Sequence, residues 1–200
     1  MGQVFNPYLP LNEYVPDGEP HIFGDRVYIY GSHDKENGDH FCMLDYVTYS
    51  ASVDDLTSWK YEGVIYRASS DPLYPEYKYM FAPDVVRGND GKYYLFYERT
   101  APLIINALNV INVAKWKSEI YMCKSSELEV WTEPQRVIGH TRDYEACKTG
   151  VAISNPFLVE RDDKYRLYYS CGQTFIKDCG FSEPTHITFA EGDFPDRGFV

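Results

Sequence analysis

Short runs of apolar and aromatic residues, each closed by a polar turn, recur along the chain. One fourteen-residue pattern occurs three times without a gap, at 17–30, 84–97 and 155–168. In each copy an apolar pair precedes a turn, an aromatic strand follows the turn, and a Tyr ends the copy. The turns are Gly24-Asp25, Asp90-Gly91 and Asp162-Asp163. A short polar turn between two β-rich runs indicates a hairpin, so we predict one hairpin at every copy.

A second pattern follows the first two copies. Residues 47–59 and 120–131 alternate apolar and polar positions, enter a polar turn and reach a Trp that begins a further strand. A degraded third copy is found at 186–191. The repeating unit is therefore four strands, and four-stranded sheets repeated in series form the blades of a β-propeller.

The predicted fold is all-β, with the whole of residues 1–200 forming part of one β-propeller domain. Blade one spans about 17–66, blade two about 82–138, and blade three about 153–200, where it is incomplete. Since propellers have about four to eight blades, we expect a truncated chain of two and a half to three blades. The remainder of the propeller, or another copy of the chain, would then complete the ring.

Composition narrows the class of partner. Aromatic residues make up 16% of the chain, which favours β structure. The net charge of −11 argues against nucleic acid or an anionic membrane surface as a partner, and it suits a neutral substrate handled by carboxylates. The N-terminus shows no signal peptide, and the five Cys contain no CxxC pair. We therefore predict a cytoplasmic protein with free thiols and without a disulfide framework or a zinc site.

The first residues of the three copies are candidates for chemistry. Asp17, Asp84 and Asn155 each begin the innermost strand of a predicted blade, so we expect them to point into one central funnel. Carboxylates that share a pocket can supply the base and the acid that cleave a glycosidic bond. An Asp at the start of a strand can equally cap a turn through its own backbone.

Residues 6–98 resemble glycoside hydrolase family 43, a family of five-bladed propellers. The resemblance rests on NPYLP, PDGEPHIFGDRVYIYGSHD, SASVDDLTSW and FAPDVVRGNDGKYYLFY. From 118 to 193 it persists only as the regular spacing of the predicted strands. It implies a β-xylosidase or α-L-arabinofuranosidase that acts on pentose-containing oligosaccharides or similar aryl glycosides. It also implies an inverting mechanism with a general-base Asp, a tuning Asp and a general-acid Glu. It requires no cofactor and allows a structural calcium ion.

The resemblance places Asp17 at the general-base position and Asp84 in a motif that lines the pocket. The tuning position is occupied by Asn155, so either Asp84 takes that role or activity is in doubt. The general acid normally comes from the following blade. Within this chain Glu183 is the candidate, and Glu145 is the alternative.

Other residues are candidates for binding the sugar. His33 and Asp34 end the second strand of blade one, where they could reach the rim of the pocket, and His21 is an alternative. Phe81 lies in a loop beside Asp84, together with Tyr79 and Trp116, where aromatic rings either stack on sugars or pack in the core. Two rival functions remain: a non-catalytic carbohydrate-binding propeller, favoured by Asn155, and a propeller that binds other proteins.

Overall fold

The computed structural model describes residues 8–75, 79–100, 118–139, 153–171 and 186–200. These residues form eleven strands and one 3-10 turn at Ala68–Ser70. The strands are β1 (Glu19–Phe23), β2 (Arg26–Gly31), β3 (Tyr46–Ser52), β4 (Asp55–Tyr66), β5 (Phe81–Arg87), β6 (Tyr93–Thr100), β7 (Ser118–Ser125), β8 (Gln135–Ile138), β9 (Ile153–Arg161), β10 (Lys164–Cys171) and β11 (His186–Gly192).

The strands form three antiparallel sheets that follow one another along the chain. The first has the order β1-β2-β3-β4, the second β5-β6-β7-β8, and the third β9-β10-β11. Every strand pairs with its sequence neighbour, as expected for hairpins joined by short turns. The all-β prediction is therefore confirmed, whereas the number of blades in a complete ring stays a prediction.

The second sheet is packed between the other two. A core of mainly aromatic residues joins the first and second sheets and includes Tyr30, Tyr46 and Tyr97. A second core joins the second and third sheets and includes Phe96 and Leu167. Among the first strands of the three sheets, β1 contacts β5, and β5 contacts β9. The three sheets are thus arranged face to face around their first strands, as blades are in a propeller.

The register of these sheets corrects the alignment of the fourteen-residue copies. In the second hairpin Gly88 and Lys92 are hydrogen-bonded, so the loop between them contains three residues, 89–91. The loops of the first and third hairpins contain two residues each. Counted from the turns, the corresponding strand pairs are Glu19 with Tyr30, Asp84 with Phe96, and Phe157 with Tyr168. Asp84 is therefore equivalent to Glu19, and the prediction that it superposes on Asp17 is wrong by two residues.

The true counterparts of Asp17 are Ala82 and Asn155. All three have a positive φ, of 56°, 38° and 52° respectively. Each is followed by a residue that suits a bend in the chain, which is Gly18 in the first sheet and a Pro in the other two. A bulge in the first strand of the second and third sheets includes these positions.

Two cysteines of the described residues, Cys42 and Cys123, are buried and unpaired thiols. Burial in apolar surroundings raises the pKa of each thiol to about 12. No helix of sufficient length and apolar character to cross a membrane occurs in the part of the chain that the structure describes.

Candidate active site

Asp17 lies immediately before the innermost strand of the first sheet, and its side chain is exposed. The Ser32 hydroxyl donates a hydrogen bond to Oδ2 of Asp17 at 3.4 Å. Ser32 is fully buried, and its Oγ accepts a hydrogen bond of 2.8 Å from the backbone N–H of Ala82 in the second sheet. The carboxylate of Asp17 is thus open to solvent and held at the junction of two sheets. A general base needs both properties, because it must reach a water molecule and keep its orientation.

Asp84 has a different environment, because its side chain is completely buried. Its Oδ1 lies 2.5 Å from Nε2 of His21 in β1, and its Oδ2 accepts a hydrogen bond of 3.2 Å from the backbone N–H of Leu158 in β9. Asp84 therefore connects all three sheets, and each of its oxygens has a protein partner. This geometry favours a role in holding the sheets together, while its catalytic role stays a prediction.

Glu19 is a carboxylate in this region that the sequence analysis did not single out. Burial raises the pKa of Glu19, the nearby Asp84 raises it further, His21 lowers it, and Asp17 raises it slightly. A raised pKa is the property that a proton-donating carboxyl group needs. Strand alternation could have identified it, because Glu19 and His21 project towards the same face of β1.

Three further catalytic candidates from the sequence remain: Asn155, Glu183 and Glu145. Asn155 is exposed at the position equivalent to Asp17, two residues before the partly exposed Phe157. An amide at this position can form hydrogen bonds but cannot tune a neighbouring acid by charge. Glu183 and its alternative Glu145 lie outside the described residues.

His33 and Asp34 are engaged in local contacts. Nε2 of His33 lies 3.1 Å from Oε2 of Glu13, and Oδ1 of Asp34 accepts a hydrogen bond of 2.5 Å from the backbone N–H of Cys42. The backbone N–H of Asp34 also donates to the carbonyl of Tyr14 at 2.9 Å. These contacts fix the segment before β1 and the loop after β2. Sugar binding by His33 or Asp34 stays a prediction.

Phe81 is half-buried at the start of β5, and its carbonyl accepts a hydrogen bond of 2.8 Å from the Tyr46 hydroxyl. Its ring lies 6.2 Å from that of Tyr79, which in turn stacks on His40 at 5.3 Å. The three rings form a continuous aromatic group next to Ala82. Phe81 is half-buried in this group, and stacking of its ring on a sugar stays a prediction. Trp116 lies outside the described residues.

The described residues contain no group of three or more His, Cys, Asp and Glu side chains that could hold a metal ion. The structural calcium ion that the family resemblance allows therefore has no candidate position among them, and it stays a prediction.

The chain is similar to curated proteins over about half of its length. It is 55% identical over 113 residues to a xylosidase/arabinosidase from Thermoclostridium stercorarium, which covers 56% of this chain and 23% of that protein. It is 36% identical over 97 residues to xylosidase/arabinosidase 43A from Humicola insolens, covering 44% of this chain and 29% of that protein. The chain thus spans less than a third of the length of either relative. No family model matches it.

Solved structures share the fold at low sequence identity. The GH43_1 enzyme from Xanthomonas citri, in complex with xylose, matches with a TM-score of 0.55 and 24% identity, over 78% of this chain and 40% of that one. Xylan β-1,4-xylosidase from Bacillus halodurans matches with a TM-score of 0.52 and 16% identity, over 98% of this chain and 43% of that one. In sequence the chain is thus similar to proteins named xylosidase/arabinosidase, and in fold it is similar to a solved GH43_1 enzyme.

Proposed function

We propose that this chain acts in the hydrolysis of pentose glycosides, as a β-xylosidase or an α-L-arabinofuranosidase with an inverting mechanism. The observation that carries the proposal is the environment of Asp17: an exposed carboxylate that a buried serine holds at the inner edge of the first sheet. The curated relatives named xylosidase/arabinosidase support the choice of substrate class.

In this mechanism Asp17 takes a proton from a water molecule, and the water oxygen attacks the anomeric carbon of the sugar. A protonated carboxyl group on the other side donates its proton to the leaving oxygen, so that the bond breaks without a free alkoxide. The sequence candidate for this acid is Glu183. Glu19 is a second candidate, because burial raises its pKa.

The proposal assigns Asp84 an indirect role. Its contact with His21 fixes the imidazole on β1 between Glu19 and the core of the first two sheets. His21 is 15% exposed, which leaves an edge of the ring available to a sugar hydroxyl. Asp84 would then orient a binding residue and would not itself contact the substrate.

The test is the release of nitrophenol from aryl β-D-xylosides and aryl α-L-arabinofuranosides by the 200-residue chain. Asp17→Asn should lower kcat by about 10²–10⁴-fold, the usual contribution of a general base. Asp39→Asn, in an exposed loop, is the matched control and should keep wild-type turnover. Proton NMR during the first turnovers should show a sugar product of inverted anomeric configuration.

Three results would contradict the proposal. Wild-type turnover in Asp17→Asn would remove Asp17 from the mechanism, and a product of retained configuration would exclude inversion. A folded wild-type chain that binds xylo-oligosaccharides but hydrolyses neither aryl pentoside would favour the non-catalytic carbohydrate-binding alternative.

A further inference from the structure

Residues 79–82, which lead into β5 and include its first two residues, are each hydrogen-bonded to a group outside their own segment. The partners come from the connection between β2 and β3, from β3 and from β6. In order along the segment, the bonds join the Tyr79 carbonyl to Nη1 of Arg99 at 2.9 Å, the Met80 N–H to the Cys42 carbonyl at 3.2 Å, the Phe81 carbonyl to the Tyr46 hydroxyl at 2.8 Å, and the Ala82 N–H to Oγ of Ser32 at 2.8 Å. The path of this segment is therefore fixed at every residue.

The segment needs these contacts because it contains a strained residue. Ala82 has a φ of 38°, in the left-handed region that costs free energy for any residue with a side chain. Such a conformation persists where the surrounding contacts fix it. From this bend the Ala82 N–H reaches Oγ of Ser32, and the same Ser32 hydroxyl donates to Oδ2 of Asp17. A relaxation of residues 79–82 would therefore withdraw a hydrogen bond from the group that holds Asp17.

Arg99 is a fully buried cation at the start of this segment. Its Nε lies 3.5 Å from Oδ2 of Asp71, which is also buried and accepts a hydrogen bond of 2.9 Å from the Tyr97 hydroxyl. A buried ion pair adds little net stability compared with apolar side chains of the same volume, because both charges lose their hydration. Geometry explains the pair better: the planar guanidinium, held by Asp71, directs an N–H at the Tyr79 carbonyl.

Tyr46 makes the second side-chain contact with the backbone of this segment. Its ring is completely buried in the core between the first two sheets, where it packs edge-on against Tyr97 at 5.9 Å. The fixed ring presents its hydroxyl to the Phe81 carbonyl, next to the bend at Ala82. Burial also raises the pKa of the Tyr46 hydroxyl well above its ordinary value, so this group stays protonated and able to donate.

We propose that Tyr46 and Arg99 are positioning residues for Asp17. They act through the backbone of residues 79–82 and through Ser32, and neither side chain contacts the substrate. Together they keep a backbone N–H on one lone pair of Ser32 Oγ, which leaves the hydroxyl hydrogen directed at the carboxylate. The carboxylate then meets the attacking water in one orientation. This inference rests on the proposed function, because it takes Asp17 as the general base.

Tyr46→Phe tests the proposal with the smallest change, because it removes one hydroxyl and keeps the ring. We expect kcat on aryl pentosides to fall about three- to tenfold, the usual effect of one hydrogen bond, with KM unchanged. Tyr94→Phe is the matched control: Tyr94 is buried in β6, and its hydroxyl donates to Oδ2 of Asp90 at 2.9 Å, in the turn at the other end of that strand. It should lose a similar amount of stability and keep wild-type kcat. Arg99→Lys replaces the planar fork by one ammonium group and, if it folds, should lower kcat by a similar factor.

Ser32→Ala distinguishes positioning from a general loss of stability. It removes the link to Asp17 and should lower kcat about tenfold or more. If Tyr46 acts through Ser32, the double variant Tyr46→Phe/Ser32→Ala should have the kcat of Ser32→Ala alone, whereas independent effects would multiply. Amide hydrogen exchange followed by NMR gives a measurement without substrate. Exchange at Ala82 should be about three- to tenfold faster in Tyr46→Phe than in wild type, and unchanged in Tyr94→Phe.

Wild-type kcat in Tyr46→Phe, or equal losses of kcat in Tyr46→Phe and Tyr94→Phe, would overturn the inference and leave the proposed function intact. Multiplied losses in the double variant would also overturn it, because Tyr46 would then act by a route other than Ser32. If the wild-type chain hydrolyses neither aryl pentoside, the proposed function fails, and exchange at Ala82 then decides the inference. Faster exchange in Tyr46→Phe would support the hold on residues 79–82, and unchanged exchange would overturn it.

Discussion

Replacement of Asp84 by Ala should separate a structural role from a catalytic one. Asp84 accepts one hydrogen bond from His21 and one from the backbone N–H of Leu158, and it is fully buried. Asp84→Ala removes both acceptors and leaves a cavity that is too small to bring in bulk water. The two donors then remain buried without partners, and they belong to the sheets on either side of Asp84.

The magnitude follows from these two contacts. A hydrogen bond to a charged group contributes about 1.5–3 kcal/mol, and a buried donor left unpaired costs about 1–3 kcal/mol. Together they predict a loss of roughly 3–5 kcal/mol, which matches the usual cost of removing one partner from a buried charged pair. Since a domain is stable by only about 5–15 kcal/mol, Asp84→Ala should lower Tm by roughly 6–20 °C for a chain of this size.

Asp84→Asn should cost much less. The amide oxygen can still accept from Leu158, and the amide NH₂ can donate to the imidazole in its other tautomer. We expect a loss of about 1–2 kcal/mol. Urea unfolding of both variants, together with His21→Ala and the double variant, measures the coupling between the two side chains.

Two results would refute this reasoning. A loss below about 1 kcal/mol in Asp84→Ala would show that the contacts between the sheets contribute little. A stable Asp84→Asn variant with kcat lowered a hundredfold or more would return Asp84 to the catalytic residues.

Two further predictions follow from the pKa values of buried groups. The folded state raises the pKa of Glu19 above its ordinary value of 4.5. The stability that the protonated Glu19 contributes is therefore fully present below that value and is lost as pH rises through the folded-state pKa. Because Glu19→Gln stays neutral, it should melt at a higher temperature than wild type at pH 7, and the difference should vanish near pH 4.5. An unchanged Tm at pH 7 would contradict the burial of this charge. Because the pKa values of Cys42 and Cys123 are raised to about 12, neither thiol should react with a disulfide reagent at pH 8 before unfolding, as mapped by mass spectrometry of peptides. Rapid labelling of either thiol in the native protein would show that the structure around it opens.

The sequence predicted the sheets better than their register. Turn residues such as Gly24 mark the hairpins, and the two tryptophans mark the last strand of a sheet, because both signals are local. The one extra residue in the second hairpin loop has no local signal, since Asp-Gly suits loops of two or three residues equally well. This residue accounts for one of the two positions that separate Asp17 from Glu19, the true equivalent of Asp84. The alignment of Tyr30 with Tyr97, where the structure places Phe96, accounts for the other.

The environment of each carboxylate could not be predicted from the sequence either. Asp84 is separated from His21 by 63 residues and from Leu158 by 74, so nothing near it indicates that it is buried. Ala82 carries a positive φ without a Gly or Asn to announce it. The match of Asp17 to a motif could be recognised from the sequence, whereas the serine that holds it comes from the turn after β2 and became evident only in three dimensions.

Three carboxylates on two neighbouring strands thus face three different environments. Asp17 is exposed and hydrogen-bonded by a hydroxyl, Glu19 is partly buried with a raised pKa, and Asp84 is enclosed between two donors. The environments differ because the depth of burial differs: burial raises the pKa of Glu19, and the fully buried Asp84 has a protein partner for each of its oxygens. We therefore propose three different roles for these carboxylates: Asp17 as the base, Glu19 as a candidate proton donor, and Asp84 as a link between the sheets. The Asp17→Asn, Glu19→Gln and Asp84→Ala variants should differ accordingly, with effects on turnover, on the pH dependence of stability and on stability itself.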